Sequence, residues 1–245
     1  MTETVRTEID ALGARLDEIR GRIARAARRS GRAPEEVTLI AVSKTHAAER
    51  VREALAAGVL EFGENRVQEA EEKIGLVGRA GDAQAPRWHL IGHLQSNKAR
   101  RAVKLFDVIH TVDSTDLIVR LERMCEEEGR AELSVLLQVD LAGEETKEGA
   151  PPEHVPELVS KAAACRRVRL AGLMTLPPFY EDVERVRPYF RRLRELRDRL
   201  LEQGAFGQAR GELSMGMSHD FEVAIAEGAT MVRVGTAIFG ARQRR

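Results

Sequence analysis

Val37-Thr38-Leu39-Ile40-Ala41-Val42-Ser43-Lys44 is a run of apolar and β-branched residues that leads directly into a polar end, and the helical pattern of residues 47–57 follows at once. A short apolar run, a polar connection and a helix-length stretch make one βα unit. Working outward, the unit recurs. The pattern predicts strands over 37–44, 61–65, 88–93, 108–113, 133–141, 170–176, 212–217 and 231–239. Helices are predicted near 47–57, 66–78, 96–105, 115–128, 152–165, 181–203 and 219–227. Ahead of the first strand, Val5, Ile9, Leu12, Leu16, Ile19 and Ile23 recur at intervals of three and four, which makes one further amphipathic helix ending near Gly31 and Pro34.

Eight parallel strands covered by helices either close into a barrel of about 250 residues or form an open, doubly wound sheet. A length of 245 residues with eight strands favours closure, and no GxGxxG follows the first strand to mark a dinucleotide-binding open sheet. The expected fold is therefore α/β: a single (β/α)8 TIM-type barrel with an extra N-terminal helix. No Gly/Ser linker divides the chain, so one domain is expected over residues 1–245. In the helix of 181–203, Val183, Val186, Phe190, Leu193, Leu196 and Leu200 form one stripe, and Pro188 either kinks it or marks a later start.

Composition narrows the function. Hydrophobic residues at 43% and charged residues at 32% suit a globular chain rather than a disordered or membrane-spanning one. Thirty-nine basic residues cancel thirty-nine acidic ones, which removes the global field that nucleic acid or anionic lipid binding exploits. Lys98, Arg100, Arg101 and Lys104 form a basic face without interleaved aromatics, read as solvated. Two cysteines build no disulfide framework, and neither a signal peptide nor a long apolar span is present, so a cytoplasmic location is expected.

In a βα barrel the chemistry sits where the strands end. Lys44 leaves the end of a buried strand, where desolvation favours the neutral amine that forms Schiff bases with carbonyls. The plainer reading is a lysine that snorkels to solvent or pairs with Glu64 or Asp140. Ser214-Met215-Gly216-Met217-Ser218 leads into a helical pattern, and Gly235-Thr236 follows one strand later. Barrels hold phosphate groups at that place, with backbone N–H groups and hydroxyls as donors. Ordinary helix capping by Ser218 is the competing reading, and Asp220 and Glu222 must point away from any phosphate. Alternation puts Arg233 on the barrel's inner face, where it needs an acceptor, a bound ligand or an internal carboxylate. His89 and His93 lie on a strand without zinc-binding spacing, and Cys125 beside glutamates reads as inert, so neither a metal site nor a thiol nucleophile is expected.

A carbonyl-reactive lysine opposite a phosphate cradle fits pyridoxal 5'-phosphate (PLP), and it fits a sugar-phosphate aldolase equally well. Six segments carry a more specific signal: Ala41-Val42-Ser43-Lys44-Thr45, Phe62-Gly63-Glu64-Asn65-Arg66-Val67-Gln68-Glu69, His89-Leu90-Ile91-Gly92-His93-Leu94-Gln95-Ser96-Asn97-Lys98, Gly172-Leu173-Met174-Thr175, Ser214-Met215-Gly216-Met217-Ser218 and Val232-Arg233-Val234-Gly235-Thr236-Ala237-Ile238-Phe239-Gly240. With these, the chain resembles the pyridoxal phosphate homeostasis proteins, which share the barrel of the alanine racemase N-terminal domain. The resemblance implies that Lys44 carries PLP as an internal aldimine, that Asn65 lies beside it, and that Ser218, Gly235 and Thr236 hold its phosphate. It further implies that Arg233 faces the pyridine nitrogen and keeps it unprotonated, which disfavours carbanion chemistry.

What the resemblance implies for function is a PLP carrier and regulator of vitamin B6 and amino-acid pools, acting as a monomer and passing PLP to apoenzymes. Efficient catalysis is not expected. Racemases on this barrel take a second acid/base group from an added C-terminal domain, and here the barrel pattern runs to Phe239, with Tyr180 and Tyr189 as the only tyrosines. Alternatives are an amino-acid racemase or other PLP enzyme of low activity, and a non-catalytic PLP sensor that binds a protein partner.

Overall fold

The computed structural model describes residues 3–78, 85–143 and 148–240, with side chains in the first helix from Ala11 onward. Its strands are β1 (Thr38–Val42), β2 (Glu61–Glu64), β3 (Arg87–Leu90), β4 (Val108–Val112), β5 (Leu133–Gln138), β6 (Val168–Met174), β7 (Glu212–Met217) and β8 (Met231–Val234). All pair in parallel and in sequence order, and β8 returns to β1 to close the barrel. The helices are α1 (Glu3–Arg29), α2 (Ala48–Ala56), α3 (Val67–Val77), α4 (Ala99–Leu105), α5 (Thr115–Glu127), α6 (Val155–Ala163), α7 (Arg187–Glu202), α8 (Phe221–Ala226) and α9 (Thr236–Phe239). The polar strand ends gather at the C-terminal mouth of the barrel.

The strands alternate. Ile40, Val108, Leu136, Met174 and Met231 pack together as a small apolar plug inside the barrel, while the main cluster lies between the strands and their covering helices. α1 is the extra N-terminal helix: Leu12, Leu16, Ile19 and Ile23 are all buried, as the three-and-four spacing requires. The side chains of Val5 and Ile9, which continue that stripe, lie outside the described residues. Arg22 ties α1 to α8, stacking 4.6 Å from the Phe221 ring and pairing with Glu222 at 3.1 Å. Burying each large apolar side chain of this kind contributes about 1.5–3 kcal/mol.

Two expectations need correcting. The strand predicted over 231–239 stops at Val234, and the chain turns into α9. Gly235 lies flush on β1, so that a Cβ there would stand 3.2 Å from the Val42 carbonyl, and the chain bends over the end of β1 instead of extending. Ala237-Ile238-Phe239 is too short a run for strand and helix periods to be told apart, and Arg15 of α1 fixes the helical outcome by donating to the Ile238 carbonyl at 2.7 Å. In the helix predicted over 181–203, residues 183–186 form a 3-10 turn and α7 begins at Arg187. Pro188 therefore sits in the first turn, where its missing N–H costs nothing, and it does not kink the helix. No described helix is long and apolar enough to cross a membrane.

Candidate functional site

β1 ends in a four-residue turn, closed by the bond from His46 N–H to the Ser43 carbonyl at 3.1 Å, with Lys44 at its first corner. The second corner, Thr45, has φ +67° and is the one non-glycine residue in the left-handed region among those described. A β-branched residue there is strained, so surrounding groups must hold it. Four do. Glu69 of α3 accepts from the Thr45 N–H, Lys73 Nζ donates to the Ser43 carbonyl at 2.7 Å, and Glu64 Oε1 accepts from Ser43 Oγ at 2.6 Å. His46 stacks on Phe239 of α9, with ring centroids 5.1 Å apart.

Lys73 joins these contacts through bonds of 2.7 Å to Glu64 and 2.7 Å to Glu69. Burial pushes the Glu64 carboxyl up from its ordinary range, against the pull of the Lys73 charge and hydrogen bond. Glu64 is therefore engaged with Lys73 and Ser43, while Asp140 accepts from the N–H groups of Ala142 and Gly143. Lys44 itself is half-buried.

β8 lies beside β1, with Ile40 opposite Arg233 and Ala41 opposite Val234, so Gly235 and Thr236 emerge next to the Lys44 turn. On the other side, β2 pairs Val42 with Gly63, which brings out Asn65 next to the same turn. Ser218, just past β7, accepts from the Gly235 N–H at 3.3 Å. All six residues singled out in the sequence thus fall on one arc of the mouth formed by β7, β8, β1 and β2. Ser218 is not a helix cap: α8 is flanked by Asp220, whose carboxylate turns back to the Met217 N–H at 2.6 Å, while Glu222 points to Arg22. Both acidic groups are accounted for away from the Ser218–Gly235 contact.

Arg233 is buried, 3% exposed, and donates to Ser214 Oγ at 2.6 Å and to the Thr175 carbonyl at 3.0 Å. Among the described residues it forms no ion pair, so the internal salt bridge the sequence allowed is not made. Burial pushes the guanidinium down to about 10, with the nearby charge of Asp220 acting in the other direction. Asn65 Oδ1 is buried and has no hydrogen-bond partner among the described residues. Its backbone is fixed by Gly92, where any Cβ would collide with the Asn65 carbonyl.

The remaining candidates disperse. His89 is buried against Glu61 and His110, whereas His93 is exposed and 3.3 Å from Glu148. Tyr180 and Tyr189 share a hydroxyl contact at 3.1 Å, with Arg185 stacked 4.3 Å from the Tyr180 ring. Cys125 is buried, and desolvation pushes its thiol up to about 11. The basic face is ion-paired: Lys104 meets Glu128 at 2.7 Å, Arg101 meets Glu71 at 3.4 Å, and Arg100 meets Glu127 and Glu128. Reading the sequence missed Lys73 and His110, and it did not pair Ser214 and Thr175 with Arg233. The i,i+4 spacing of Glu69 and Lys73, and the shared strand face of Val108, His110 and Val112, were the available signals.

Fold and site define the class, a barrel of the alanine racemase N-terminal domain type, and the profile of the family described as "Alanine racemase, N-terminal domain" matches residues 14–243. An alanine racemase of Clostridium difficile shares this fold at a TM-score of 0.71, with 18% identity over 95% of this chain and 57% of that one. Nearer in sequence is the pyridoxal phosphate homeostasis protein of Aquifex aeolicus, 43% identical over 94% of this chain and 97% of its own. That of Escherichia coli K12 is 42% identical, over 93% and 95%. PipY of Synechococcus elongatus, in a structure with PLP bound, superposes at a TM-score of 0.77 with 40% identity, covering 94% of this chain and all of PipY. The chain belongs to the pyridoxal phosphate homeostasis protein family.

Proposed function

We propose that this protein binds PLP covalently through Lys44 and serves intracellular PLP homeostasis, carrying the cofactor to apoenzymes and so affecting vitamin B6 and amino-acid pools. The observation that carries this reading is the convergence on one arc of an amine, an anion cradle and a buried cation. Lys44 Nζ would condense with the aldehyde, releasing water. Ser218 Oγ, the Gly235 N–H and Thr236 at the start of α9 would hold the phosphate. Arg233 would face the pyridine nitrogen, with Asn65 beside the cofactor.

The donor set fits the group. The Ser218–Gly235 bond is long enough, at 3.3 Å, to yield to a doubly charged acceptor. Asn65 Oδ1, buried and without a hydrogen-bond partner among the described residues, leaves an unfilled polar position beside the Lys44 turn. Among the described residues Arg233 donates only to neutral acceptors, which leaves its charge available to a ring nitrogen acting as acceptor. When bound, PLP supplies an electrophilic carbon and an electron sink. A guanidinium is a poor proton source for that sink, which favours storage and transfer over racemisation. The Tyr180 hydroxyl is already paired with Tyr189, which further supports a carrier.

The direct test is absorbance. PLP added to the full chain should give a visible imine band that an incoming amine discharges, and Lys44→Ala should abolish it. Persistence of the band in K44A, or its absence from the wild type, would refute the assignment. Enzyme-rate deuterium exchange at Cα of added amino acids would replace the carrier by a racemase.

A further inference from the structure

A line of polar side chains crosses the barrel interior beneath the site. From β8, Arg233 Nη1 donates to Ser214 Oγ of β7 at 2.6 Å, and Ser214 Oγ is 2.9 Å from His110 Nδ1 of β4. His110 Nε2 lies 2.8 Å from His89 Nδ1 of β3, and His89 Nε2 lies 2.6 Å from Glu61 Oε2 of β2. Ser214, His110 and His89 are fully buried. Barrel interiors are usually filled by branched apolar side chains, and a polar chain there is tolerated only when every member is satisfied.

One assignment of protons satisfies every member of this line. Glu61, held by His89 and by Arg87 at 3.3 Å, is an acceptor, so His89 carries its proton on Nε2. In this assignment His89 Nδ1 accepts from His110 Nε2–H. Full burial pushes His110 well below the ordinary imidazole range, so it too is neutral and accepts at Nδ1 from the Ser214 hydroxyl. Ser214 Oγ is left to accept from Arg233, which can only donate. The reverse arrangement would make His110 Nδ1 a donor to Ser214 and leave the buried serine hydrogen without this acceptor.

We propose that Ser214, His110, His89 and Glu61 are positioning residues: a one-way hydrogen-bond relay, anchored on the Glu61 carboxylate, that locks Ser214 as the acceptor orienting Arg233 toward the ligand's ring nitrogen. This rests on the PLP reading for what Arg233 faces. The relay lets a guanidinium whose direct partners are neutral keep one orientation, because the Ser214 hydrogen is committed to His110 and its oxygen is left to accept from Arg233.

Two measurements on the full chain test it. Two-bond 1H–15N spectra of histidine-labelled protein, assigned with H89Q and H110Q, should show both rings neutral with the proton on Nε2. A proton on His110 Nδ1 overturns the relay, and this readout does not depend on PLP. In PLP titrations followed at the imine band, S214A and H110Q should each weaken binding about tenfold, and the double variant should be no weaker than S214A alone. A multiplicative loss of about a hundredfold means that His110 does not act through Ser214, and overturns the proposal. Absence of any imine band in the wild type would sink the PLP reading while leaving the tautomer result to stand or fall by itself.

Discussion

Two buried cations lie at this mouth and are treated in opposite ways. Lys73, behind the Lys44 turn, meets two carboxylates at 2.7 Å each, whereas Arg233, on the inner face of β8, meets a hydroxyl and a carbonyl. A buried charge matched by opposite charge completes a local structure, and removing one partner strands the other. A buried charge facing only neutral dipoles keeps unspent attraction for an anion or an acceptor that arrives later. The first cation holds the turn after β1 in its strained shape. The second is held by neutral partners alone among the described residues.

The largest effect should come from breaking the matched cluster. Lys73→Met strands Glu64 and Glu69 and should cost about 3–5 kcal/mol in urea unfolding. Arg233→Met removes a charge that was never ion-paired, and should cost only about 1–2 kcal/mol for the acceptors it leaves, Ser214 and Thr175. Equal losses in the two variants would erase the distinction.

A smaller effect sharpens the comparison with a carboxylate held mainly by backbone N–H groups. Glu122 accepts from the N–H groups of Arg166, Arg167 and Val168. Partial burial pushes its carboxyl up, and these bonds outweigh that and hold it below 4.5. A depressed folded value means that the carboxylate stabilises above the ordinary value, and the contribution is lost as pH falls through the folded one. Glu122→Gln should therefore cost about 1 kcal/mol at pH 7, with the gap to wild type closing in denaturation below about pH 4. A gap that widens on acidification would contradict the sign. Smallest is Thr45→Gly, which relieves the positive φ and should gain less than about 1 kcal/mol in the same unfolding assay while slowing imine formation by loosening Lys44.

Much of the fold can be read from the chain because each strand is an apolar run that ends in polar residues. β7 is predicted to the residue, and α1 follows from its stripe. The last strand is overextended because Ala237, Ile238 and Phe239 suit either period, and the arbiter, Arg15, lies 223 residues away. The site divides similarly. Lys44, Ser218, Gly235 and Arg233 stand at strand ends, where position alone makes them candidates. The relay does not announce itself, because His110 and Ser214 are 104 residues apart and become partners only when the barrel closes. Single-sequence reading finds residues that face the mouth and misses pairs that form across it.

The most direct measurement is mass spectrometry of PLP-treated protein after borohydride reduction and proteolysis. The reduced pyridoxyl mass should map to Lys44 alone. Its appearance on Lys73, Lys98 or another lysine, or on no lysine at all, would contradict the account.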